Sequence, residues 1–110
     1  MSTIKLVQND TGPDVFVTLT YKDTGLAIDV SNVSDVVRLY FRQLGVAALK
    51  ATIVASKPNG GADGYVKFVW VTGDLDTVGA YEAEVEITFN TGQIYTIDKK
   101  LSLMVREQIG

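Results

Sequence analysis

Residues 79–87 read GAYEAEVEI, with Tyr81, Ala83, Val85 and Ile87 alternating with Glu82, Glu84 and Glu86. A period of two sends the two sets to opposite faces of an extended strand, apolar inward and acidic outward. The same period recurs along the chain, enriched in β-branched and aromatic residues, and no amphipathic helical stripe interrupts it. It predicts strands at 4–8, 15–21, 35–42, 49–55, 65–71, 80–89 and 93–106, with a brief extended piece around 26–30.

Turn chemistry separates these segments. Asn9-Asp10-Thr11-Gly12-Pro13 and Lys22-Asp23-Thr24-Gly25 combine side-chain bonding, positive φ and fixed φ. Residues 57–64 form a loop or long hairpin turn, 72–78 a crossing segment, and Asn90-Thr91-Gly92 a tight hairpin with glycine where a left-handed residue is needed. Strands at this spacing, with no helix to cover a parallel sheet, predict an all-β fold: an antiparallel two-sheet immunoglobulin-like sandwich of about seven strands, with a small barrel as the alternative. Residues 75–81 (LDTVGAY) fit the corner before the sixth of these strands, where a tyrosine bonds back to the crossing loop, and Ala83 stands where an antibody domain has its second cysteine.

Alternation leaves two points open. Within 65–71, either Val66, Phe68 and Trp70 or Tyr65, Lys67, Val69 and Val71 face inward. In the last segment, Lys99 interrupts the apolar set Tyr95, Ile97, Leu101, Leu103 and Val105, which suggests a bulge or a departure from the sheet edge.

Composition narrows the chemistry. The 110 residues, 46% hydrophobic and 21% charged, suit one domain spanning 1–110 with a single core. The net charge of −3 comes without a basic stripe, which argues against nucleic acid, and no apolar run reaches membrane-spanning length. The start, MSTIKLVQND, lacks the apolar core of a signal peptide, so synthesis and folding in a cytoplasm are expected. Cysteine and histidine are both missing, which removes thiol nucleophiles, disulfides, the commonest general base and the commonest transition-metal ligand. No enzyme and no cofactor are expected.

The remaining candidates are weak as chemistry. Glu82, Glu84 and Glu86 would lie across from Arg38, Tyr40 and Arg42 of a neighbouring strand, a solvated ladder rather than an acid–base pair, which requires a concave site and one raised pKa. Asp74 and Asp76, with Asp63 or Asp10 nearby, could offer oxygens to calcium but are ordinary turn formers. Gly60, Gly61 and Gly64 lack the lysine and helix context of a phosphate loop. Arg38, Tyr40, Arg42 and Trp70 are the candidate protein-interface residues, since arginine, tyrosine and tryptophan are favoured in interfaces; for Trp70 a place in the core is the competing reading.

The chain as a whole resembles the N-terminal domain of phage baseplate upper proteins and related phage tail and virion modules. The likeness runs through a short strand and polar turn at 4–13, then Thr24-Gly25-Leu26-Ala27-Ile28-Asp29-Val30-Ser31, then Val37-Arg38-Leu39-Tyr40-Phe41, and finally Leu75, Gly79, Tyr81, Ala83, Glu84, Val85, Ile87 and Gly92. The resemblance implies a virion structural protein without catalysis, partnered by other virion structural proteins and oligomeric within a larger assembly. It implies a baseplate, tail or neck component of a virion, synthesised in a bacterial host cytoplasm; baseplate upper proteins continue into helical and receptor-anchoring parts that these residues do not include, which favours a minor tail, neck or capsid-decorating component built on the same domain. The alternative is an adhesion module for cell-surface carbohydrate, stacking sugars on Tyr40, Tyr65 or Trp70. A carboxylate-only glycosidase comes third, for want of room for a cleft.

Overall fold

The computed structural model describes residues 3–97 and 100–109 and turns the alternation into eight strands. They are β1 (Ile4–Val7), β2 (Val15–Thr18), β3 (Val36–Gln43), β4 (Ala51–Val54), β5 (Tyr65–Phe68), β6 (Gly79–Thr88), β7 (Ile94–Thr96) and β8 (Leu101–Arg106). One sheet runs β1-β8-β6-β3-β4, with β7 also paired to β6; the other is β2-β5. The β8-β6-β3 order facing β2-β5 is the arrangement of an immunoglobulin-type sandwich. Its core is filled from both sheets by Leu39, Phe41, Val85 and Ile87 on one side and Leu19, Val66, Phe68 and Trp70 on the other.

Two features differ from the pattern-based expectation. The sheet is not wholly antiparallel, because β1 pairs parallel with β8, Ile4 opposite Leu103 and Val7 opposite Arg106. A parallel neighbour needs a long connection, and here nearly the whole domain lies between the two strands. Next, the segment 93–106 is two strands rather than one. β7 pairs with the far half of β6 at Glu86–Thr88, and β8 pairs with its near half at Gly79–Ala83, so the two share one edge of β6 in succession. The reading of Lys99 as a bulge lies outside the described residues.

The brief extended piece expected at 26–30 is present as a strap, not one of the eight strands. Ile28 N–H donates to Leu19 O and Val30 N–H to Gly61 O, which buries both side chains completely while leaving only an isolated bridge, Thr20 with Ala27.

Turn chemistry accounts for the remaining connections. Gly92 has φ 90°, and the bonds Phe89 N–H to Gln93 O and Gly92 N–H to Phe89 O close the hairpin around Asn90-Thr91-Gly92. Asp35 is buried and its carboxylate accepts the Asn90 N–H at 2.8 Å, tying the start of β3 to that hairpin. The Tyr81 hydroxyl donates to Thr77 O at 2.5 Å, which fixes the corner leading into β6. Burial raises the Tyr81 pKa above its ordinary value, so the phenol remains a donor at neutral pH.

Candidate functional site

The central pair β3 and β6 decides what the outer face of the large sheet presents. In this antiparallel register Arg38 faces Glu86, Tyr40 faces Glu84 and Arg42 faces Glu82, while Leu39, Phe41, Ala83 and Val85 point into the core. All six polar positions are half-buried, because each long side chain lies across its neighbours on the pleated surface.

The contacts run partly straight across and partly on the diagonal. Arg42 Nε donates to Glu82 Oε2 at 3.0 Å and its Nη2 lies 2.9 Å from the same oxygen. Lys100 approaches Glu82 Oε1 at 3.3 Å from the far side. The Tyr40 hydroxyl donates to Glu86 Oε1 at 3.0 Å, and Arg38 Nη1 reaches Thr88 Oγ1 at 3.3 Å. The hydrogen bond from Arg42, then that from Lys100, holds the Glu82 carboxyl below the usual glutamate range. The bond to Glu86 raises the Tyr40 phenol above its ordinary value.

A group kept ionised in this way cannot serve as a proton donor near neutral pH, which is what acid catalysis would ask of one carboxylate here. A small concavity of about 120 Å³ on this face is lined by Tyr40, Arg42, Leu49, Glu82, Glu84 and Lys100. Among the described residues, no buried polar side-chain atom lacks a partner. On this face Arg38, Tyr40 and Arg42 are each bonded to a side chain of β6.

The lowered Glu82 pKa has a sign. Its contribution to stability is complete above the ordinary glutamate range and disappears as pH falls through the lowered folded value. Glu82→Gln should therefore lower stability modestly at pH 7 and take the same amount out of the acid limb of a stability–pH profile measured by urea unfolding.

The other candidates are dispersed. Trp70 does not lie on this face: it is 2% exposed, packed edge-on against Phe41 with ring centroids 4.9 Å apart, and its Nε1 donates to Pro13 O at 3.1 Å. That resolves the alternation of 65–71 in favour of Val66, Phe68 and Trp70 inside and removes Trp70 from the exposed set. The aspartates act as turn caps. Asp74 Oδ2 accepts the Val71 N–H, Asp63 Oδ1 accepts the Tyr65 N–H, and Asp76 binds Lys50 and Thr77. The Lys50 bond, the larger cause, and the Thr77 bond lower the Asp76 pKa. Among the described residues, no three His, Cys, Asp or Glu side chains are grouped to hold a metal ion.

One exposed feature escaped the sequence reading. Phe16 on β2 stacks on Tyr65 of β5 on the outer face of the small sheet, ring centroids 5.7 Å apart, and Phe16 is 52% exposed. The signal was present: alternation through 15–21 sends Phe16 outward together with Thr18 and Thr20.

Comparison with known proteins supplies a fold. No protein-family model matches the chain. No curated protein matches it either. Among solved structures, CopC from Methylosinus trichosporium OB3b is similar with a TM-score of 0.55, at 11% identity, over 98% of this chain and 89% of that one. At that identity the likeness is one of architecture, and it agrees with a two-sheet β-sandwich.

Proposed function

We propose that this chain is a structural and assembly module of a phage virion, a baseplate, tail or neck component that docks other virion proteins and performs no catalysis. The observation that carries the proposal is the β3–β6 outer face, where arginine, tyrosine and glutamate side chains are held in fixed positions by one another. Side chains already ordered lose less freedom on binding, and arginine and tyrosine are the residue types that anchor interfaces. The lack of histidine and cysteine and the small size of the concavity on this face support a binding role over a reactive one. The virion assignment itself draws on the resemblance of the sequence pattern to baseplate upper protein N-terminal domains.

Two measurements test it. Purified native particles should contain this chain by mass spectrometry and electron microscopy, and its absence would remove the assembly role. Arg38→Ala combined with Arg42→Ala should leave the circular dichroism spectrum unchanged and lower incorporation into particles roughly tenfold or more, as expected when two interface anchors are removed.

A second reading rests on the Phe16–Tyr65 stack, an exposed aromatic platform of the kind that binds sugar rings. Saturable glycan-array binding lost in Phe16→Ala would favour a carbohydrate-binding adhesion module over docking between proteins.

A further inference from the structure

Residues 57–64 form a loop whose ends are anchored in the protein and whose tip stands in solvent. At one end, Lys57 Nζ donates to Asn32 O at 3.0 Å and to Asp35 O at 2.8 Å. At the other, Gly61 O accepts the Val30 N–H and Gly64 O accepts the Leu19 N–H, and both glycines are buried. Between the anchors, Asn59 and Gly60 are exposed.

Asn59 is the one asparagine of the chain followed by glycine; Asn9, Asn32 and Asn90 precede Asp10, Val33 and Thr91. The order matters because the backbone nitrogen of the next residue can attack the side-chain amide carbon, and only glycine offers that nitrogen without a Cβ in the way. Around Gly60 nothing lies within 4 Å of the position a Cβ would take, and its N–H makes one long bond, to Lys57 O at 3.1 Å. The Asn59 side chain is held by one bond too, Nδ2 donating to Asp63 Oδ2 at 3.0 Å. Asn59, Gly60 and Asp63 are all exposed, and bonds at such a tip open at little cost.

We propose that Asn59 is a site of spontaneous deamidation, which converts this chain with time into a second, more acidic form. The Gly60 nitrogen bonds to Asn59 Cγ and gives up its proton, the Cγ–Nδ2 bond breaks, and the side-chain nitrogen leaves with that proton as ammonia. The product is a cyclic imide. Water then opens the imide at either carbonyl, giving aspartate or its isomer in which the main chain runs through the former side chain. No oxidant, reductant or cofactor enters the step.

The nearby Asp63-Gly64 pair is protected from the same ring closure. Asp63 accepts the Tyr65 N–H on Oδ1 and the Asn59 amide on Oδ2, and the first of these bonds, then the second, lowers its pKa and keeps it an unreactive carboxylate. Gly64 is buried against the backbone of Leu19 and Ile28, with its N–H bonded to Gly61 O.

The change at residue 59 reaches the small sheet. It removes the donor from Asp63 Oδ2 and sets a second carboxylate beside it, and like charges that close repel. Asp63 Oδ1 holds the N–H of Tyr65 at the start of β5, and the Tyr65 ring stacks on Phe16. Deamidation therefore loosens the cap that positions an exposed aromatic pair, while the anchors at Lys57, Gly61 and Gly64 keep the rest of the loop in place. This chemistry is independent of any virion role.

Ageing the wild-type chain in warm neutral buffer, followed by peptide mass spectrometry, tests it. The peptide containing residue 59 should gain one mass unit before any gain at Asn9, Asn32 or Asn90, and its products should include isoaspartate, which direct hydrolysis of the amide does not give. Gly60→Ala and Asn59→Gln should each suppress the gain. Asn59→Asp, which carries the charge of the product from the start, should keep the circular dichroism spectrum and speed hydrogen exchange at the Tyr65 amide. Conversion at residue 59 no faster than at the other three asparagines, or seen in urea but not in the folded chain, would overturn the site. An unchanged Tyr65 exchange rate in Asn59→Asp would overturn the link to β5.

Discussion

Trp70→Ala should destabilise the domain by about 3–5 kcal/mol, a large share of the roughly 5–15 kcal/mol available to a domain of this size. Trp70 is among the largest fully or nearly fully buried side chains and heads an aromatic column: its ring meets Phe41 edge-on, and Phe41 stacks on Tyr81 at 4.5 Å with the planes 10° apart. Truncation would leave a cavity between the sheets and strip Pro13 O of its indole donor. Both losses fall where β3, β5 and β6 converge, so neighbouring backbone has little freedom to collapse inward. Urea unfolding followed by circular dichroism checks it, since the substitution deletes the single tryptophan. The midpoint should fall with an unchanged slope, and Trp70→Phe should recover part of the loss.

Gly64→Ala should be comparably damaging, at about 3 kcal/mol or more, although it adds one methyl group. Gly64 has φ 74°, a conformation costing a residue with a Cβ roughly 1–3 kcal/mol on its own. A Cβ there would also stand 2.6 Å from Leu19 O and 3.1 Å from Ile28 O, both backbone atoms that cannot swing aside. Leu19 O is already committed, since it accepts the Ile28 N–H, and Leu19 N–H is bonded in turn to Gly64 O. Gly60→Ala is the control: φ is 87°, but nothing lies within 4 Å of its Cβ position, so the conformational cost alone should appear. Thermal melts of the two variants should separate clearly, and equal losses would show that crowding at residue 64 is relieved by movement of the strap.

What the chain disclosed in advance depended on whether the relevant physics was local. Glu82, Glu84 and Glu86 opposite Arg42, Tyr40 and Arg38 followed from two alternating strands and a sandwich order, and the register has that form. The tyrosine corner and the 89–93 hairpin were equally readable, since each is set by residues close in sequence. Trp70 was ambiguous because both faces of 65–71 are apolar enough to be buried, and only the packing of the large sheet against one of them, with Phe41 on Trp70, decides between them.

Strand direction was harder. Four residues such as IKLV specify alternation but carry nothing about a parallel or antiparallel neighbour, so the β1–β8 pairing was hidden. Lys99 marked an interruption in the apolar set, but the alternation on either side of it read as one strand where the structure has β7 and β8. The need for glycine at 64 arises from the backbone of Leu19, 45 positions away.

The side-by-side alignment of β1 and β8 has a mechanical meaning. Both strands run the same way, the chain entering through the first and leaving through the last. Tension applied through the flanking segments would drag Ile4–Val7 backward along Leu103–Arg106, stressing the rungs between them together in shear rather than peeling them one at a time. Extension under load would thus meet a clasp at the edge of the large sheet before its other strands were disturbed, and the force needed to open it would exceed that for a hairpin of equal length pulled from its open end.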